Sequence, residues 1–102
     1  MITRDADKTI CVIYKEFLTR RKSGISKIQA STFSFETLQS LMPNEIKEDL
    51  FEYLRELKCA DLINPIYLSG DFHLSSNGII YMEQRFGKTL DKIIDYLSKL
   101  VP

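Results

Sequence analysis

Apolar residues recur at a helical period along most of the chain and give way to strand-like spacing only once. In Asp5–Lys22, Ile10, Ile13, Tyr14, Phe17 and Leu18 stand at i, i+3, i+4, i+7 and i+8, one face of an amphipathic helix. The pattern fades at Ser23-Gly24, and residues 23–32 (SGISKIQAST) read as a polar loop with room for a short extended piece. Ser34–Met42 (SFETLQSLM) reads as a short helix with Ser34 as N-cap, stopped by Pro43. Asn44 is in position to cap a third helix over Glu45–Leu62, with Ile46, Leu50, Tyr53, Leu54 and Leu57 toward the core. The two-residue break at Pro43-Asn44 joins the second and third helices as closely as a helix-turn-helix requires.

Ile63, Ile66, Tyr67, Phe72 and Leu74 then supply strand material, with Ser69-Gly70-Asp71 as the turn of a two-stranded hairpin. Pro65 cannot donate to a ladder, so its strand is expected at an edge. In FHLSSNGIIYMEQ (Phe72–Gln84), Asn77-Gly78 is a strong hairpin signal taken alone. Its arms do not alternate, however: Ser75-Ser76 precede it, and Ile79, Ile80, Tyr81 and Met82 follow. Read as a helix capped by Ser75, the stretch puts Ile79, Met82 and Phe86 at i, i+3 and i+7, and Gly78 in the first turn lets the chain pack against the strand. The helix is the better reading, with Gly87 as its end. Residues 88–102 form a last helix, with Leu90, Ile93, Ile94, Leu97, Leu100 and Val101 on one side and Asp91, Lys92, Asp95, Ser98 and Lys99 opposite.

The order is three helices, a hairpin and two helices. A strand ending in Leu74-Ser75, two further residues, Gly78 and an apolar helix resembles the end of the wing in bacterial winged-helix proteins, where an L-[S/T]-x-x-G element joins the last wing strand to the next helix. With IKEDLFEYLRELKCADLI (Ile46–Ile63), HLSSNGIIYMEQ (His73–Gln84) and the final helix, the chain resembles the YjcQ-type family of small bacterial and prophage winged-helix proteins over roughly residues 10–100. The resemblance implies a mainly α (α+β) winged helix-turn-helix filling residues 1–102 as one domain, and nucleic-acid binding. It implies no defined activity.

Composition narrows the function classes. At 102 residues and 44% hydrophobic, the chain suits one domain with a sizeable core. No apolar run approaches the roughly 18 residues of a membrane span, and the N-terminus lacks a signal-peptide core, so a cytosolic protein without membrane contact is expected. Cys11 and Cys59 have no metal-type spacing and are expected to be small buried hydrophobes. His73 is the only histidine, and Asp5-Asp7 and Asp91-Asp95 are commonplace spacings rather than acid pairs. Neither metal, cofactor nor catalysis is expected.

The net charge is zero, but it is unevenly spread. Residues 1–30 hold seven basic and three acidic side chains, leaving +4; residues 31–61 hold three basic and seven acidic, leaving −4; the remainder balances. Arg20, Arg21, Lys22 and Lys27 make the one dense basic cluster, a candidate phosphate contact at a helix C-terminus where cations also complement the dipole. On the third helix Lys47, Phe51, Arg55 and Lys58 share one flank, with Arg55 the candidate for a base edge. Glu45, Glu48, Asp49, Glu52 and Glu56 occupy the other side, and a pair such as Glu52 with Arg55 fits a solvated helix equally well. Phe51 is expected to pack on the second helix or on a second subunit rather than on a base. The wing LSGDF has no Lys or Arg, which weighs against a grip on DNA.

Two functions of different kinds fit these features. One is a DNA-binding regulator, of prophage type in the sense the resemblance implies, acting on double-stranded DNA as a homodimer through Leu90, Ile93, Ile94, Leu97, Leu100 and Val101. The other is an interaction module that engages a protein through the acidic third helix without touching DNA.

Overall fold

The computed structural model describes residues 2–66 and 70–100. Helix α1 (Arg4–Lys22) begins at Thr3, whose hydroxyl accepts the Ala6 amide at 3.3 Å, and carries Asp5 and Asp7 in its first turn and Arg20, Arg21 and Lys22 in its last. Each end thus meets the helix dipole with the complementary charge. Its apolar stripe of Ile10, Ile13, Tyr14, Phe17 and Leu18 is buried, as the spacing requires.

Residues 23–32 are more ordered than a polar loop. Ser26 caps a single-turn helix α2 (Lys27–Ala30), and β1 (Thr32–Phe33) follows. Elements this short leave no periodicity to read. Ser34 caps α3 (Phe35–Leu41) by accepting the Thr37 amide at 3.0 Å, and the helix stops before Pro43.

Helix α4 (Lys47–Cys59) starts later than expected. Ile46 is its N-cap, with no side-chain cap, and Asn44 sits in a turn closed by the Glu45 amide on the Met42 carbonyl at 3.2 Å. The joint to α3 is therefore Met42–Ile46, longer than two residues. Placed at the cap, Ile46 is 62% exposed instead of lying in the core, whereas Leu50, Leu54 and Leu57 are buried and Tyr53 packs at the core's edge.

The sheet has three strands where two were expected. β2 (Ile63–Ile66) and β1 both pair antiparallel with β3 (Asp71–Leu74), in the order β1-β3-β2. Thr32 lies opposite His73, and Pro65 opposite Phe72 on the edge strand, where a proline is tolerated. Tyr67 and Ser69, expected in the strand and turn, lie outside the described residues.

Asn77-Gly78 belongs to a helix. Ser75 opens α5 (Ser76–Phe86): its hydroxyl accepts the Gly78 amide at 2.9 Å and donates to the Asp61 carbonyl at 2.9 Å. A Cβ on Gly78 would sit 2.2 Å from the Leu62 carbonyl oxygen, so this position has no room for any side chain. Gly87, at φ 74°, ends α5, and its carbonyl accepts the Tyr14 hydroxyl at 2.7 Å. Helix α6 (Leu90–Leu100) then packs back on α1. Ile93 is fully buried, Leu90 and Leu97 pack partly against the core, and Ile94 is 45% exposed. The whole is mainly helical with a small antiparallel sheet, and no helix among the described residues is long and apolar enough to cross a membrane.

Candidate nucleic-acid interface

The charges of α4 are sorted by flank, and the two flanks face different neighbours. Leu50, Leu54 and Leu57 fix the buried side. At 100° per residue this leaves Lys47, Phe51, Arg55 and Lys58 on the flank toward the β2–β3 hairpin. There Phe51, Arg55 and Lys58 line a groove of about 430 Å³ with Leu54, Ile63, Pro65, Gly70, Asp71 and Phe72. Lys47 lies on the far side of Phe51, in an adjoining hollow with Glu36, Gln39 and Asp71.

On the acidic flank, Glu56 meets the start of α1, while Glu48, Asp49 and Glu52 are exposed. Glu56 accepts both the Thr3 amide (3.0 Å) and the Thr3 hydroxyl (2.9 Å), so this carboxylate ties α4 to α1. Glu52 pairs with Arg55 at 3.3 Å, one turn apart and well exposed on both sides. An exposed pair of this kind is worth at most about 1 kcal/mol and yields to a better partner.

Phe51 packs on the second of the expected helices, as anticipated. Its ring lies on that of Phe35, the first residue of α3, with centroids 4.2 Å apart and planes at 7°, yet it stays 41% exposed. The hairpin closes over this pair: Gly70, at φ 85°, brings its Cα side to both rings, and the Phe35 amide donates to the Asp71 carboxylate at 3.4 Å.

The other basic cluster does not join this groove, and its four members separate. Arg20 is a structural side chain. Its guanidinium pairs with Glu16 at 3.0 Å, donates to the Thr32 and Ala30 carbonyls at 2.8 and 3.3 Å, and lies 4.3 Å over the Phe33 ring. It fastens α1 to the β1 segment. Arg21 and Lys22 open on a separate cleft of about 390 Å³, shared with Lys88 and Asp91, and Lys27 is exposed on α2. Cys59 is exposed, contrary to expectation, while Cys11 is buried.

A polar cluster that the sequence did not suggest lies between α1, α5 and α6. Arg85 donates to both oxygens of Asp7, the second at 2.9 Å, and the Tyr96 hydroxyl donates to the same carboxylate at 2.8 Å. The Arg85 hydrogen bond is the main force holding the Asp7 carboxyl below its ordinary pKa, against the opposing effect of burial; bonding to Asp7 in turn pushes Tyr96 upward. Burial, with Asp7 nearby, pushes the Cys11 thiol up to about 12. The arrangement binds three helices together. His73 is likewise structural in its contacts, bonded through Nδ1 to the Thr32 hydroxyl at 3.0 Å across the sheet.

Comparison of the chain with known protein families, with curated proteins and with solved structures finds no match.

Proposed function

We propose that the protein is a small winged helix-turn-helix DNA-binding protein that acts as a transcriptional regulator; the resemblance to the YjcQ-type family implies the fold and nucleic-acid binding, and the regulatory role is our own addition to it. In this reading α3 and α4 are the helix-turn-helix, β2–β3 is the wing, and α4 enters the major groove. One observation carries the proposal: Phe51, Arg55 and Lys58 open on the hairpin groove with Lys47 beside them, while Glu56 on the opposite flank is held against α1. DNA approaching from the hairpin side meets Lys47, Arg55 and Lys58, and has to displace the exposed Glu52 from Arg55 and accommodate Asp71 in the groove. Arg21, Lys22 and Lys27 add to the field at longer range, and Arg20 contributes nothing directly.

The test is binding of a random duplex at about 50 and 200 mM salt. Affinity should be measurable at the lower concentration and fall by roughly fortyfold at the higher, since neutralising three phosphates gives a log–log slope near −2.7. An absence of binding at low salt overturns the proposal. It would then favour the interaction module, which Asp71 and the half-exposed Phe51 in the same groove also suit.

Assembly is a narrower proposal than the amphipathic stripe suggests. Ile93 is buried and Leu90 and Leu97 are partly covered within one copy, so a homodimer through α6 has Ile94 and the outer edges of Leu97 and Leu100 to work with. Val101 lies outside the described residues.

A further inference from the structure

We propose that Phe51 is a base-reading residue, contacting a thymine methyl group while Arg55 reads a guanine one or two base steps away. This deepens the DNA-binding reading and rests on it. A large aromatic side chain that is 41% exposed beside two cations calls for an occupant of mixed chemistry. Phe51 is also positioned by packing: one face lies on Phe35 with ring centroids 4.2 Å apart, so contact has less side-chain freedom to order.

The major groove presents one apolar group on its base edges, the thymine C5-methyl, and guanine N7 and O6 are the acceptors that suit a guanidinium. Phe51 and Arg55 stand one helical turn apart, which separates their Cβ atoms by roughly 5–6 Å. That spans between one and two base steps of about 3.4 Å. Both side chains line the same groove, with Lys58 one turn further on and Lys47 one turn before, in position for the flanking phosphates. Because one face of Phe51 already stacks on Phe35, contact with a methyl group on the groove floor is favoured over intercalation, which would need both faces.

The experiment selects duplexes from a random pool with the intact protein, then remakes the best duplex with deoxyuridine for thymidine and, separately, with 7-deazaguanine for guanine. Selected sites should place a thymine within two steps of a guanine. Removing the thymine methyl should weaken binding about threefold to fivefold for the native protein. The Phe51→Ala protein should bind both duplexes equally, and Phe51→Leu, which keeps an apolar tip and guards against a folding defect, should retain part of the discrimination. Loss of N7 should weaken the native protein and leave Arg55→Ala indifferent. Equal native affinity for thymidine and deoxyuridine duplexes overturns the assignment of Phe51 while leaving DNA binding intact. No binding to any duplex overturns both, and retention of Phe51 in a complex with a protein instead would assign the edge to that partner.

Discussion

Two regions of the molecule, the α1–α5–α6 junction and the hairpin side of α4, use charge in opposite ways. Toward α5 and α6, Asp7, Arg85 and Tyr96 satisfy one another in a half-buried cluster, and Tyr14 reaches the Gly87 carbonyl. Toward the hairpin, Lys47, Phe51, Arg55 and Lys58 remain accessible along α4, with a single exposed ion pair among them. The first side spends its polar groups on holding helices together; the second leaves them available. Titratable residues of the same types therefore stabilise the fold on one side and form a binding surface on the other, and partners decide which.

Substitutions can break this comparison, starting where the two sides meet. Gly78→Ala places a methyl group on the Leu62 carbonyl at the joint between α4, β2 and α5, and should cost about 3 kcal/mol or more by chemical denaturation. A change under about 1 kcal/mol would mean that the joint yields easily. Arg85→Ala should follow, at about 1–3 kcal/mol, since it strips the partner from a half-buried carboxylate.

The pH dependence of that loss has a definite sign. The folded pKa of Asp7 lies below its ordinary 3.8, so its contribution is present above that value and is lost as pH falls through the folded pKa. The gap between native and Arg85→Ala proteins should therefore close in acid. At the other extreme, burial holds Cys11 and Tyr14 protonated in the fold, from 9.0 and 10.0 respectively up to about 12. The unfolded chain releases those protons first, so stability should decline from about pH 9 toward pH 12. A flat profile across that range would contradict the burial of both groups.

Smaller effects sharpen the contrast between arginines. Arg20→Ala should cost about 1–2 kcal/mol, because it loses two carbonyl contacts, an ion pair and an aromatic ring. Arg55→Ala should stay within about 0.5 kcal/mol. Thermal or denaturant midpoints that ranked them the other way would reverse the roles given to the two side chains.

What could be read in the sequence was local. The stripe of α1 and the Ser34 and Ser75 caps depend on neighbours a few residues away, and the close approach at Gly78 and the edge position of Pro65 were legible from residue type alone, though the partners Leu62 and β3 were not. The later start of α4 was missed because Asn44 is a good cap by type, while the structure caps the helix with Ile46 and uses Asn44 in a turn. β1 was missed because two residues are too few for alternation. Arg20 reads as surface because its carbonyl partners, Ala30 in α2 and Thr32 in β1, lie in elements too short to leave a pattern in the sequence. The cluster of Asp7, Arg85 and Tyr96 joins residues 78 and 89 positions apart, beyond any periodic signal. The stripe of α6 was visible, but whether α1 or a second copy covered it depended on how the chain turned at Gly87. The flank of α4 carrying Lys47, Phe51, Arg55 and Lys58 was visible too; that it opens on a groove with the hairpin was not.

The separation of roles is tested most directly by reversing charge on each side and measuring affinity for one random duplex at low salt. Arg55→Glu with Lys58→Glu should lower it tenfold or more, since both cations line the groove. Arg21→Glu with Lys22→Glu, in a cleft that shares no lining residue with that groove, should change it by less than about threefold through screened long-range effects. Equal losses from the two pairs, or the larger loss from Arg21 and Lys22, would contradict the account.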